Sequence, residues 1–290
     1  GLRYDNFSLK PASSNDPVYP GLTPISLSDS ALSKKLGLVF KQSPMLNYYV
    51  QYSEGFLAPT PTNVNSGFTN LTSTSPYKTI SNPDLKPETS QLYEIGLRGQ
   101  NERLSYQISL FHTDYKDFIE LTQVGGAGTT VDPTINQSIN RDKAEVQGVE
   151  ADLTWRINSL WRIMAGFNYN EGRMITNGNK SDLPTVEPTK FVLGTRYKPG
   201  DYAFELIASH AAARNNPNDA NLSTDAHTTF DLLAEWDINK HWQLQGGIFN
   251  ITDEAYLHWS DVRNQPKTSS SNDAFTQPGR SFKVSLTTRF

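Results

Sequence analysis

The chain has 290 residues, a net charge of −4, no Cys and an aromatic content of 11%. Without Cys there is neither thiol chemistry nor a disulfide framework, and a mildly acidic balance offers nothing to a nucleic acid. No apolar run approaches the roughly eighteen residues of a membrane helix, so any crossing of a bilayer would be made by strands, which are only half apolar and whose polar loops dilute the average further.

Taken in order, the chain repeats one pattern. Apolar and polar residues alternate with period two, the signature of half-buried strands. Leu46, Tyr48, Val50 and Tyr52 alternate with Asn47, Gln51 and Ser53, and Leu104, Tyr106, Ile108 and Leu110 with Ser105, Gln107 and Ser109. Tyr202, Phe204, Leu206 and Ala208 form one face of a later run, Phe230, Leu232, Ala234 and Trp236 another, and Phe282, Val284, Leu286 and Phe290 close the chain. Twelve strands are predicted, at about 1–9, 34–42, 45–56, 89–99, 103–117, 141–156, 160–173, 187–198, 201–213, 226–237, 241–252 and 279–290. The fold class is all-β.

The connections alternate in length. Tight turns fall at Ser43-Pro44-Met45, Gln100-Asn101-Glu102, Asn158-Ser159, Pro199-Gly200 and Asn239-Lys240, and long loops at about 10–33, 57–88, 118–140, 174–186, 214–225 and 253–278. Short turns on one rim and long loops on the other is the layout of a transmembrane antiparallel β-barrel, and strands of about nine to eleven residues suffice to cross at a barrel tilt. Tyr48, Tyr93, Trp155, Trp161, Tyr197, Tyr202, Trp236 and Trp242 cluster near the short turns, where an interfacial girdle would put them. Because the chain opens directly in strand-like sequence at Gly1, it is read as part of a larger barrel.

The stretch from Gly55 to Glu88 stands apart. About thirty residues rich in Thr, Ser, Asn and Pro show almost no periodicity, with Phe56, Leu57, Phe68, Leu71, Tyr77 and Ile80 scattered among them. Loops of this length in a compact protein are functional or disordered. Pro corners at Ala58-Pro59, Asn82-Pro83-Asp84-Leu85 and Lys86-Pro87 stiffen both exits, which favours function.

Several motifs resemble the TonB-dependent outer-membrane receptors, and specifically their haem and haemoglobin branch. GFLAPT (Gly55–Thr60) is similar to that branch's FRAP-type box, with Leu57 where Arg is usual, and NPDLKPETS (Asn82–Ser90) to its NPNL box. AEVQGVEADL (Ala144–Leu153) resembles a common receptor strand, NITDEAY (Asn250–Tyr256) the penultimate-strand motif, and the terminal Phe290 the end of many outer-membrane proteins. The resemblance implies the last half of a 22-stranded plugged barrel in the bacterial outer membrane, in contact with its lipids, with residues 1–290 as the C-terminal portion of the barrel and the plug and early strands absent. It implies haem as the transported ligand, free or on a haem-carrying protein, and a TonB-type periplasmic transducer acting through the missing plug. No bond of the substrate need be broken, so no enzyme is expected.

The family commonly places a His between the two boxes as a haem-iron ligand. Here the five His are His112, His210, His227, His241 and His258, none of them between the boxes. Tyr77 is the strong iron donor left in that interval, and a phenolate is a known axial ligand of haem. The expected haem site is therefore Tyr77 on the iron, Phe56, Ala58 and Pro59 against the ring, and Asn82, Pro83, Asp84 and Leu85 turning the loop back. His112 and His210 share parity with lipid-facing residues, whereas His227 and His258 could reach an external ligand. Asp114, Asp117, Glu120, Asp231 and Glu235 read as lumen-facing charge rather than catalytic acids, since no pocket with split pKa values is legible. A ferric-siderophore receptor, and a barrel adhesin or enzyme, are the rival readings; the enzyme lacks any Ser and His on one strand face.

Overall fold

The computed structural model describes residues 1–10, 25–73, 75–176 and 178–289. In chain order the elements are β1 (Leu2–Leu9), β2 (Leu27–Ser43), β3 (Leu46–Leu57), α1 (Pro61–Val64), β4 (Thr69–Asn70), β5 (Tyr77–Ile80), β6 (Glu88–Gln100), β7 (Leu104–Gly125), β8 (Thr134–Arg156), β9 (Trp161–Thr176), β10 (Asn179–Asp182), β11 (Lys190–Tyr197), β12 (Tyr202–Ala211), β13 (His227–Asn239), β14 (Trp242–Phe249), α2 (Trp259–Val262), a 3-10 turn (Asn272–Phe275) and β15 (Ser281–Thr288).

Twelve of the fifteen strands form one antiparallel meander in the order β1-β2-β3-β6-β7-β8-β9-β11-β12-β13-β14-β15. These are the twelve that the alternation predicts. The remaining three, β4, β5 and β10, are short strands inside long loops. The sheet is not closed: β1 and β15 lie at its two ends. Terminal Phe290 lies outside the described residues, as does most of the loop predicted at 10–33.

Register carries the apolar set of every strand to one face. Phe204 pairs with Ala234, Leu206 with Leu232 and Tyr202 with Trp236; Leu232 in turn pairs with Ile248, which pairs with Phe282. A slip of one residue anywhere would turn that strand's whole set to the opposite face. The resulting outer surface is apolar and uncovered: Leu206 is 43% exposed, Val50 52% and Leu110 52%. In water so continuous a patch would drive association; in a bilayer it is the lipid-facing band. The opposite face is polar, and there Arg196 bridges Glu205 at 3.2 Å and Glu235 at 3.3 Å.

Three of the five short turns share one device. Asn101 Oδ1 accepts hydrogen bonds from the N–H groups of Arg103 (2.8 Å) and Leu104 (2.7 Å). Asn158 does the same for Leu160 and Trp161, and Asn239 for His241 and Trp242. An Asx side chain thereby satisfies donors that a two- to four-residue reversal strands. The fourth turn uses Gly200 at φ +62°, a left-handed conformation that glycine adopts without strain.

Aromatic rings edge the apolar band as expected. Trp161 stacks on Tyr197 at 4.6 Å and Tyr202 on Trp236 at 5.8 Å, both beside short turns. Tyr93 belongs elsewhere: it sits seven residues from its turn and pairs with Tyr52 at 5.2 Å, which assigns it to the border near the long loops. Asp114 is a second correction. It has the parity of Leu110 and His112 on β7 and binds Lys143 at 2.8 Å, so it faces outward above the band rather than into the lumen.

Two loops are more ordered than their sequence implies. Of the predicted loop 118–140 only Gly126–Pro133 remains, because β7 and β8 run on as a ribbon to Gln123 and Asn136 and beyond. At about 3.3 Å per residue, β8 would be roughly 75 Å long, far more than a bilayer requires. Gly126 and Gly128 at φ +79° and +75° close the tip. Among the described residues the largest fully buried side chains, Trp259, Val64 and Val262, lie in the long connections, while the small Ala144 on β8 is fully buried as well. The packed core lies where the loops meet the wall: Ala144 on β8 clusters with Leu183 and Val186 of the β10–β11 connection, against Tyr115, Phe118, Val146 and Met174 on β7–β9.

Candidate functional site

The Gly55–Glu88 stretch folds against the β7–β8 ribbon. Thr60 caps α1 in a reciprocal box with Asn63: Thr60 Oγ1 accepts from the Asn63 N–H and Asn63 Oδ1 from the Thr60 N–H. With Pro at the first helical position this stabilises even a single turn. The turn buries Val64 completely. Asn65 then pairs in both directions with the backbone of Ile25, at 2.6 and 3.0 Å.

The chain next forms the β4–β5 hairpin, and β5 adds in parallel to the free edge of β8, with Tyr77 opposite Thr134 and Ile80 opposite Gln137. Amide side chains pin the return. Asn82 Nδ2 donates to the Ser138 carbonyl at 2.8 Å, Gln137 Nε2 to the Ser81 carbonyl at 2.8 Å, and Asn140 pairs with both backbone groups of Lys86. The Asn, Thr and Ser content that hides the period is thus the docking chemistry of the loop.

Each predicted site residue has a definite place. Tyr77 is half-buried on β5, its ring 5.8 Å from that of Phe68, and its hydroxyl has no hydrogen-bond partner among the described residues. Phe56 packs against Phe7 at 5.7 Å. Ala58 is half-buried, while Pro59 and Leu85 are buried in the loop's own packing. Asn82 Oδ1 accepts from the Asp84 N–H at 3.0 Å, the Asx turn expected there; Pro83 and the Asp84 side chain are exposed. The loop therefore brings Tyr77 and Phe68 together at its tip and uses Pro59, Asn82 and Leu85 as its frame.

The other three long connections lock together. Trp259, only 2% exposed, donates its indole N–H to the Pro184 carbonyl at 2.7 Å, and the Arg214 guanidinium lies 5.2 Å above its ring. Arg214 also donates to the Leu183 carbonyl at 3.1 Å, and Asn216 to the Arg263 carbonyl at 2.7 Å. Burial holds the Arg214 guanidinium below its ordinary pKa. The NITDEAY motif sets the angle of the last loop. Asn250 and Asp253 have φ of +49° and +57°. Asn250 pairs with both backbone groups of Glu254, and Asp253 accepts from the Arg280 N–H at 2.7 Å. Sequence reasoning passed over Trp259 and Arg214, whose only signal was a Trp and an Arg in loops far from any short-turn girdle. His210 faces outward with Phe191, as its parity implies, whereas His227 has the inward parity of Asp231 and Glu235.

A meander of long strands with an apolar outside, a charged inside and elaborate loops on one rim defines a receptor-type outer-membrane barrel wall. The family description "TonB dependent receptor-like, beta-barrel" matches residues 1–251, and the chain belongs to that family, whose members reside in the outer membrane of Gram-negative bacteria. Among curated relatives, the hemoglobin and hemoglobin-haptoglobin-binding protein of Haemophilus ducreyi is 26% identical over 90% of this chain and 32% of its own length. The hemoglobin-haptoglobin utilization protein B of Neisseria meningitidis serogroup C is 29% identical over 100% of this chain and 42% of its own. The chain thus spans less than half the length of these relatives. Among solved structures, the copper transporter OprC superposes with a TM-score of 0.80 at 18% identity, over 100% of this chain and 44% of that one. A ferric enterobactin receptor from Pseudomonas aeruginosa does so at 0.69 and 18%, over 91% and 41%. These structures share the fold.

Proposed function

We propose that this chain is the C-terminal wall and external loop set of a receptor that captures haem, free or from a haem-carrying protein, and passes it inward with energy from a TonB-type periplasmic transducer acting on a plug. The carrying observation is that relatives aligned over 90% and 100% of this chain are named for hemoglobin and hemoglobin-haptoglobin binding and for hemoglobin-haptoglobin utilization. The chemistry is capture and passage, with no bond of the substrate broken and no enzymatic step.

In this reading Tyr77 binds ferric haem iron through its phenolate oxygen. Support comes from its place on a docked hairpin, its hydroxyl without a hydrogen-bond partner among the described residues, and the neighbouring Phe68 ring as an apolar wall. Phe56 and Ala58 flank the approach, and Pro59, Asn82, Pro83, Asp84 and Leu85 hold the loop so that little ordering remains to be done on binding.

The test is a haem titration of the complete receptor, wild type against Tyr77→Phe, followed by optical and electron paramagnetic resonance spectra. A tyrosinate-type high-spin ferric signal lost in the variant is expected. Haem bound with unchanged spectra would remove Tyr77 from the iron; no saturable haem binding in either protein would overturn the haem reading in favour of a ferric siderophore.

A further inference from the structure

A second place in the molecule has the makings of a ligand site, and the Tyr77 loop takes no part in it. Inward-facing residues of β9, β11, β12 and β13 and the loops around Glu187 and Tyr256–Trp259 line a cavity of about 510 Å³. That volume falls within the roughly 300–1,000 Å³ of small-ligand sites. On its wall His227 stacks against Tyr256 with ring centroids 4.3 Å apart and planes 25° apart, while His258 meets the same Tyr256 ring edge-on at 5.4 Å and 83°.

The donor state of His227 follows from its contacts. Its Nδ1 lies 3.4 Å from the Asp225 carbonyl oxygen. A carbonyl only accepts, so Nδ1 carries the hydrogen and Nε2 keeps its lone pair. This is the arrangement by which a backbone carbonyl usually sets the tautomer of a metal-binding imidazole.

Two further observations point to a ligand. Buried Thr224 Oγ1 and Asn170 Oδ1, on residues of the same wall, lack hydrogen-bond partners among the described residues, and buried polar atoms are ordinarily satisfied. Lys190 projects from the inward face of β11 with no carboxylate paired to it among the described residues, a free cation for an acidic substituent. A lone-pair nitrogen, flat aromatic walls, polar groups and an unpaired cation suit a planar metal complex bearing carboxylates.

We infer that the His227–Tyr256–His258 cavity is a second ferric-porphyrin station, in which His227 Nε2 binds the iron axially and Lys190 meets a propionate. The inference rests on the haem reading above and adds an imidazole station separate from Tyr77. A porphyrin stands roughly at right angles to the imidazole that ligates its iron. The His258 ring, nearly perpendicular to the Tyr256 ring that stacks on His227, can then lie along the porphyrin face.

The experiment uses the complete receptor in four forms: wild type, Tyr77→Phe, His227→Gln and the double variant. Each is titrated with ferric haem and with metal-free protoporphyrin, and the haem complexes are examined by electron paramagnetic resonance. In Tyr77→Phe the residual ferric signal is expected to be of the imidazole type, and adding His227→Gln should abolish it and weaken haem binding by about 10- to 100-fold, the scale of disturbing a metal-binding histidine. Metal-free protoporphyrin should bind all four forms alike, which also reports that His227→Gln is folded. An imidazole signal that survives His227→Gln would overturn the inference and leave Tyr77 untouched. Equal loss of both porphyrins would reduce His227 to packing and overturn it too. Failure of the wild type to bind haem would overturn the haem reading, and this inference with it.

Discussion

Truncating Trp259 should open the loop layer while leaving the barrel wall intact. A Trp buries about 150–250 Å², and Trp259 is 2% exposed; at about 25 cal/mol per Å² that is roughly 4–6 kcal/mol. Large-to-Ala substitutions at such sites cost about 3–5 kcal/mol. Trp259→Ala would also strand the Pro184 carbonyl and remove the ring beneath Arg214. None of these contacts involves the outward apolar band, so the loss should appear as local opening rather than global unfolding. Since about 1.4 kcal/mol is tenfold, amide hydrogen exchange over 183–189 and 257–265 should quicken by about a hundred- to a few-thousand-fold. Exchange in β7, β8 and β12 should not change. Trp259→Phe, which keeps most of the apolar area but leaves the Pro184 carbonyl without its donor, should cost about 1–3 kcal/mol. A Trp259→Ala protein whose loop exchange changes by less than about threefold would show that the three loops are held by something other than this side chain.

Two further outcomes are expected. Leu206→Arg puts a charge in the middle of the outward band, where Leu206 pairs with Leu232 and Thr195. It should cost about 2–4 kcal/mol in reversible unfolding from phospholipid vesicles, and a cost under about 1 kcal/mol would mean that this face does not meet lipid. At Asn250, φ is +49° and the buried side chain holds both backbone groups of Glu254. Asn250→Ala should destabilise the last loop more than Asn250→Gly, by the roughly 1–2 kcal/mol that a left-handed conformation costs a residue with a Cβ; limited proteolysis of 253–278 reads the order, and equal sensitivity would remove backbone strain from the argument.

The twelve-strand wall was legible because two of its faces meet different solvents. Lipid on one side and a wet lumen on the other force strict alternation, as in Phe204-Glu205-Leu206, and a one-residue slip would place Glu205 in hydrocarbon. The turns were legible for a local reason, since Asn101, Asn158 and Asn239 each satisfy backbone two and three residues onward. The ribbon beyond Lys116 and Lys143 was not. Residues such as Thr134, Asn136, Gln137 and Ser138 stand clear of the membrane, where nothing demands an apolar face, so a real strand there reads as a polar loop. Candidate residues divide along the same line. Tyr77 could be singled out as an iron donor from the sequence, but its parallel pairing with Thr134, fifty-seven positions away, depends on where β8 leaves an open edge. The meeting of His227 and His258 on the Tyr256 ring depends on the left-handed backbone at Asn250 and Asp253 and on the Trp259 lock across three loops. Periodicity records which solvent each face of a strand meets, whereas contacts between loops are set by chain closure and leave no period to read.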